Sequence, residues 1–110
     1  MTFEFSTKDG RTKATVTVQL EDGIAMRTGM QIVDKCSEYG KGIYIARDDN
    51  PDLRVDAKSI MQVVMLAATR GTKLHIEVEG DDESAETMTL MLASAFTGTD
   101  SYNLDFGRYL

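Results

Sequence analysis

Two stretches of this chain bring chemically capable groups to points where a helix would begin. In Gly23-Ile24-Ala25-Met26-Arg27-Thr28-Gly29 a glycine-rich approach follows an alternating strand. A helix starting there exposes its first backbone N–H groups and the positive end of its dipole, and both favour an anion. Arg27 and Thr28 would add a guanidinium and a hydroxyl to such a site. A plainer role is also open to them, with Thr28 capping the helix and Arg27 in solvent. In Asp56-Ala57-Lys58-Ser59-Ile60-Met61, the serine stands where an N-cap residue is expected.

Other reactive side chains are few. His75, the one histidine, alternates with apolar residues in a strand pattern; it should therefore point to solvent, away from both helix mouths. Cys36, the one cysteine, cannot form an internal disulfide and reads as a small core side chain. One His, one Cys and scattered carboxylates supply no metal-ligand cluster, and no cofactor is expected.

The elements that must position these residues are legible from periodicity. Ala14, Val16, Val18 and Leu20 alternate with Thr15, Thr17 and Gln19, as in a half-buried strand. A helix from Met26 to Tyr39 should follow, with Met30, Val33 and Cys36 on its apolar stripe and Gly40 as its stop. Ile43 to Ala46 reads as a strand, Asp48 to Asp52 as a turn holding the only proline, and Leu53-Arg54-Val55 as the return strand. A second helix is expected from Ser59 to Arg70, ended by Gly71. Leu74, Ile76 and Val78 then form a strand, and Ala85, Met88, Leu92 and Ala95 lie at helical spacing. This order predicts an α+β fold: an antiparallel sheet with helices on one face and a wet face holding Thr15, Thr17, His75 and Glu77.

With the element order and the two helix starts in view, the chain resembles the HPr-type phosphocarriers of the bacterial sugar phosphotransferase system. In that family the first motif is usually Gly-Ile/Leu-His-Ala-Arg-Pro-Ala, whose histidine carries the phosphoryl group. Gly23, Ile24 and Arg27 match it; Ala25 occupies the histidine position and Thr28 the proline position. The resemblance implies an open-faced sandwich, with a four-stranded antiparallel sheet and three helices in the order β-α-β-β-α-β-α. It covers roughly residues 13–96 of a single domain, leaving an N-terminal extension at 1–12 and a tail at 97–110. It also makes Ser59 a candidate for regulatory phosphorylation, because the corresponding serine is a kinase target in some bacteria. The catabolite-repression HPr paralogues likewise lack the histidine and act by binding regulators.

Thr2 to Ser6 alternates with period two before the turn signal Lys8-Asp9-Gly10, so an extra strand is expected there; Tyr102, Leu104 and Phe106 suggest another in the tail. Such additions would cover an otherwise exposed sheet edge, or exchange between chains to make a homodimer. The second helix is apolar almost all round. With Val63, Leu66 and Ala67 facing the core, Ile60, Met61 and Val64 would form an exposed patch beside Ser59. The matching surface docks enzymes and regulators in HPr proteins.

Composition narrows the partners. A net charge of −6 and the absence of any Lys/Arg run disfavour nucleic acid. No segment approaches the roughly 20 apolar residues of a membrane span, and the N-terminus lacks a signal-peptide pattern; a cytoplasmic protein is expected. These features point to a non-enzymatic regulatory or adaptor protein. Its partner would be a transcriptional regulator or a phosphotransferase-system enzyme, with an HPr kinase as a further candidate acting on Ser59. A phosphocarrier with a relocated acceptor and a structural or dimerisation module are the alternatives.

Overall fold

A computed structural model describes residues 4–98 of the chain. Its elements run β1 (Glu4–Lys8), β2 (Arg11–Thr17), α1 (Met26–Ser37), β3 (Ile43–Arg47), β4 (Asn50–Asp56), α2 (Ile60–Met65), β5 (Lys73–Glu79) and α3 (Glu83–Thr97). The strands form one antiparallel sheet in the order β1-β2-β5-β3-β4. Period-two alternation sends Ala14, Val16, Ile43, Ile45, Leu74, Ile76 and Val78 to one face. There they meet Ile32 and Cys36 of α1, Val63 of α2, and Ala85, Leu92 and Phe96 of α3. The other face carries Thr15, Thr17, His75 and Glu77, all only part-buried. This is the α+β open-faced arrangement expected from the sequence, with its four strands widened by a fifth.

The fifth strand is the N-terminal one, and it runs two residues past its expected end at Ser6, to Lys8. Asp9 and Gly10 both have positive φ, 56° and 75°, as a two-residue hairpin turn matching strand twist requires. β1 pairs with β2 from Glu4↔Thr15 to Lys8↔Arg11, so β2 is not an edge. The strand expected over Tyr102 to Phe106 lies outside the described residues.

Several local expectations are corrected. Pro51 and its neighbours are not a loop: the β3–β4 turn is only Asp48-Asp49, and Arg47 pairs with Asn50. Proline is tolerated there because β4 is the sheet's outer strand. In α1 the buried stripe is Gly29, Ile32 and Cys36; Met30 is 57% exposed, and the helix stops at Ser37. The glycine, not the methionine beside it, faces inward because a neighbouring helix lies against it. The second helix is half its expected length. It closes at Leu66 with Arg47 donating to the Leu66 and Ala67 carbonyls at 2.8 and 3.1 Å. Ala67 turns to φ 49° and is exposed rather than core-facing.

Candidate functional site

The mouth of α1 is set by the chain that leads into it. Gly23 sits at φ 67°, donating its N–H to Leu20, and Ile24 donates to the Ala68 carbonyl at 3.0 Å. A Cβ at Gly23 would lie 2.4 Å from that same carbonyl oxygen, so only glycine fits. Ala25 is the N-cap, extended at φ −76° and ψ 169°, and no side chain caps this end. Thr28 is therefore not the cap: it is the third residue of the helix, too far in to reach back. The first-turn N–H groups of Met26, Arg27 and Thr28 have no helical acceptor, and Arg27, the second residue of the helix, is exposed.

The α2 mouth is ordered by its own side chains. Ser59 is the N-cap, its hydroxyl oxygen accepting from Gln62 N at 3.4 Å. Asp56 accepts from Lys58 N at 2.9 Å, and the Gln62 side chain accepts from Asp56 N at 2.9 Å. The Lys58 ammonium donates to the Tyr39 carbonyl, tying this helix start to the end of α1.

Between the helices runs a tight seam. A Cβ at Gly29 would stand 3.1 Å from Ile60 Cδ1 and 3.7 Å from Val63 and Val64 Cγ1, so the glycine lets the helices approach. Ile60 and Val64 are consequently half-buried in the seam, whereas Met61 is 73% exposed. At about 100° per residue, Met26 and Met30 flank Gly29 on the side away from Ile32 and Cys36. Met61 and Met65 flank Ile60 and Val64 on the side away from Val63. All four methionines are more than half exposed.

His75 lies elsewhere. It pairs with Thr15 on the open face of the sheet, opposite the helices. Its Nε2 is 2.7 Å from Asp48 Oδ1 and its Nδ1 3.1 Å from Thr15 Oγ1. Because a carboxylate only accepts, Nε2 carries the proton and Nδ1 accepts from the threonine hydroxyl when the ring is neutral. Nearby Glu77 binds Arg11 and Arg54 at 3.2 and 2.9 Å, and Arg54 stacks over Tyr44. Cys36 is fully enclosed, and burial pushes its thiol up to about 12; it is not a nucleophile at neutral pH. Among the described residues no group of three or more His, Cys, Asp or Glu side chains is placed to hold a metal.

The family model for the PTS HPr component phosphorylation site matches residues 12–95. The chain belongs to the HPr family. The phosphocarrier protein HPr of Pseudomonas aeruginosa is 38% identical over 68 residues, covering 62% of this chain and 73% of the relative. The HPr-like protein Crh of Bacillus subtilis is 29% identical over 68 residues, 62% of this chain and 76% of the relative. A crystal structure of HPr from Bacillus anthracis superposes with a TM-score of 0.71 at 28% identity, covering 81% of this chain and all of the other. At the level of the HPr family the chain is a phosphocarrier or HPr-like regulator, not an enzyme. No described helix is long and apolar enough to cross a membrane.

Sequence reasoning finds both helix mouths but misses three of the four exposed methionines. Gly29 is the available signal: once a glycine is taken as the inward contact, helical spacing turns Met26 and Met30 outward. The Thr15–His75–Asp48 chain is not legible, because it depends on the two-residue turn that brings Asp48 beside β5.

Proposed function

We propose that this HPr-family protein does not carry phosphate at the family's usual position, where Ala25 stands, and acts by docking a protein partner on its α1–α2 face. The observation that carries this reading is the separation of the one histidine from the α1 mouth. A side-chain methyl offers no nucleophile at the N-cap, and His75 is on the opposite face with both ring nitrogens engaged. A phosphocarrier with His75 as a relocated acceptor would have to break one of these contacts and work without the helix-start amides. The open α1 mouth, with Arg27 and the Thr28 hydroxyl, remains suited to an anionic group, and we read it as a recognition point for the partner.

Docking is supported by the apolar surface beside Ser59. Ile60 and Val64 shape the seam and Met61 stands furthest out; thioether side chains repack readily against different partners. Phosphate on Ser59 would add charge at the edge of this surface and would be favoured by the helix start, making it a candidate switch for an HPr kinase. The partner class is a transcriptional regulator or a phosphotransferase-system enzyme, in the cytoplasm.

Incubation with phosphoenolpyruvate and the first enzyme of the phosphotransferase system, read by intact mass, tests the reading. No added phosphate is expected. Labelling that vanishes with His75→Ala would establish the relocated carrier instead. A matching kinase with ATP should modify the wild type and leave Ser59→Ala unmodified.

A further inference from the structure

The open face of the sheet, opposite the helices, holds a hollow that the docking reading does not use. Its volume is about 690 Å³, and Lys13, Thr15, Tyr44, Ala46, Arg54 and His75 are among the residues around it, a size suited to a small molecule. Register explains why the sheet is hollow here. His75 is paired with Thr15 on one side and with Ala46 on the other. The alanine adds only a methyl to this face and is buried, so the floor lies low between longer side chains. Pro51 of β4 lines the hollow as well.

Charge is arranged here unlike in the chain as a whole. The net charge is −6, yet the one carboxylate lining the hollow, Glu77, is taken up twice, by Arg11 at 3.2 Å and Arg54 at 2.9 Å. Asp48, beyond the lining, is held by His75 Nε2. Lys13 is the strand partner of Glu77, but the two arginines occupy that carboxylate. Lys13 is exposed and has no ion-pair partner among the described residues. A spare ammonium therefore stands on this face and favours an anion. Ser6, paired with Lys13 and exposed, adds a hydroxyl beside it.

Arg54 supplies a different kind of contact. Its Cζ lies 4.4 Å from the centroid of the Tyr44 ring, and its Nη1 donates to Glu77. Held by the ring and the carboxylate together, yet with about half of its side chain exposed, the guanidinium is a preorganised plane on which a flat ring can stack. Lys13 and Tyr44 are both register partners of Glu77, so they stand two strands, about 10 Å, apart. A lone inorganic ion would meet only the ammonium. A molecule carrying an ionised group at one end and a ring at the other meets both.

We propose that the open sheet face binds a small organic anion bearing a planar ring, of the nucleoside monophosphate class, with its phosphate at Lys13 and Ser6 and its base stacked on Arg54 over Tyr44. The site is independent of the docking reading, because the helices cover the other face of the sheet. Titration of the full chain with adenosine monophosphate, followed by backbone amide NMR, tests it. Saturable shifts are expected at Lys13, Thr15, Tyr44 and His75, with α1 and α2 unmoved. Adenosine and inorganic phosphate, each making part of the contacts, should bind severalfold more weakly. Lys13→Gln should weaken the nucleotide severalfold; the side chain is exposed, so the melting temperature should stay in place and lost binding is not lost folding. Tyr44→Leu, which removes the support under Arg54, should weaken the nucleotide and leave inorganic phosphate as before. Absence of a saturable shift would overturn the proposal, as would phosphate binding as tightly as the nucleotide, or affinity untouched by Lys13→Gln. Shifts gathered at Met26 to Thr28 would also overturn it, by giving the anion to the α1 mouth.

Discussion

The starts of α1 and α2 solve the same problem in opposite ways. At α2 the Ser59 hydroxyl accepts one first-turn N–H, that of Gln62, while the Asp56 and Gln62 side chains accept from the backbone N–H groups of Lys58 and Asp56 just ahead of the helix. At α1 no side chain caps the end; the helix start is fixed from behind, by the Gly23 turn and the Ile24–Ala68 hydrogen bond. The capped start gives one of its first-turn donors to a side chain, whereas the uncapped one gives none of them up and keeps them available to an anion. The α1 start therefore suits an anionic group even though the Ala25 side chain brings no nucleophile.

The strongest way to break this contrast is to disturb the approach to α1. Gly23→Val combines a positive φ with a Cβ 2.4 Å from a backbone oxygen, and neither can relax without moving the Ala68 segment. We expect a loss of about 3 kcal/mol or more in urea unfolding. A loss below about 1 kcal/mol would mean the approach is pliable and the α1 start is not held from behind.

Cys36 gives the next effect, inside α1 and close to the residues that lead into α2. Its folded thiol ionises near 12 against an ordinary value of 9.0, chiefly because of burial. The raised value means the neutral thiol's contribution to stability is complete below pH 9.0 and is lost as pH climbs toward about 12. Cys36→Ala should leave a flatter alkaline limb in stability against pH, at some cost in core volume at neutral pH. Matching alkaline limbs in the two proteins would show that the thiol is not the group responsible.

Smaller and opposite effects should follow from exchanging the capping chemistry. Ser59→Ala removes a long, 3.4 Å cap contact and should cost about 0.5–1 kcal/mol. Ala25→Asp supplies α1 with the cap it lacks and a charge suited to the dipole, and should gain about 0.5–1 kcal/mol. Equal signs in thermal melts of the two variants would remove the distinction between a capped and an uncapped helix start.

How far the sequence reveals this arrangement depends on the range of the interactions involved. Strand alternation in Ala14 to Val18 and Leu74 to Val78, and the Ala85–Met88–Leu92–Ala95 stripe, are legible because burial acts on each element's own period. The ends of α1 and α2 are not. The stop of α2 depends on Arg47, 19 residues away in sequence, reaching the Leu66 carbonyl; no local breaker marks it, and Gly71 suggests a longer helix. Hydrophobicity ranks Met30 above its glycine neighbour as an inward residue, yet contact between helices favours the residue without a side chain. The His75 contacts require the register of β5 with β2 and the position of the Asp48 turn together. The residues of the α1 mouth are readable from the sequence alone, but its open state is not, because Thr28 lies too far into the first turn to cap.

The smallest effect on stability should accompany the largest effect on recognition. Met61 is 73% exposed, so Met61→Glu removes little buried area and should change unfolding free energy by less than about 0.5 kcal/mol. Ile60→Glu, by contrast, places a carboxylate in the seam against Gly29 and should destabilise strongly, because a buried charge without a partner is costly. If the seam is structure and the methionines beside it are the docking surface, only Met61→Glu separates the two: partner capture should fall severalfold while the melting curve stays in place. Capture that survives Met61→Glu but fails with Arg27→Ala would shift recognition from the apolar flank of α2 to the open mouth of α1, reversing which of these helix starts governs binding.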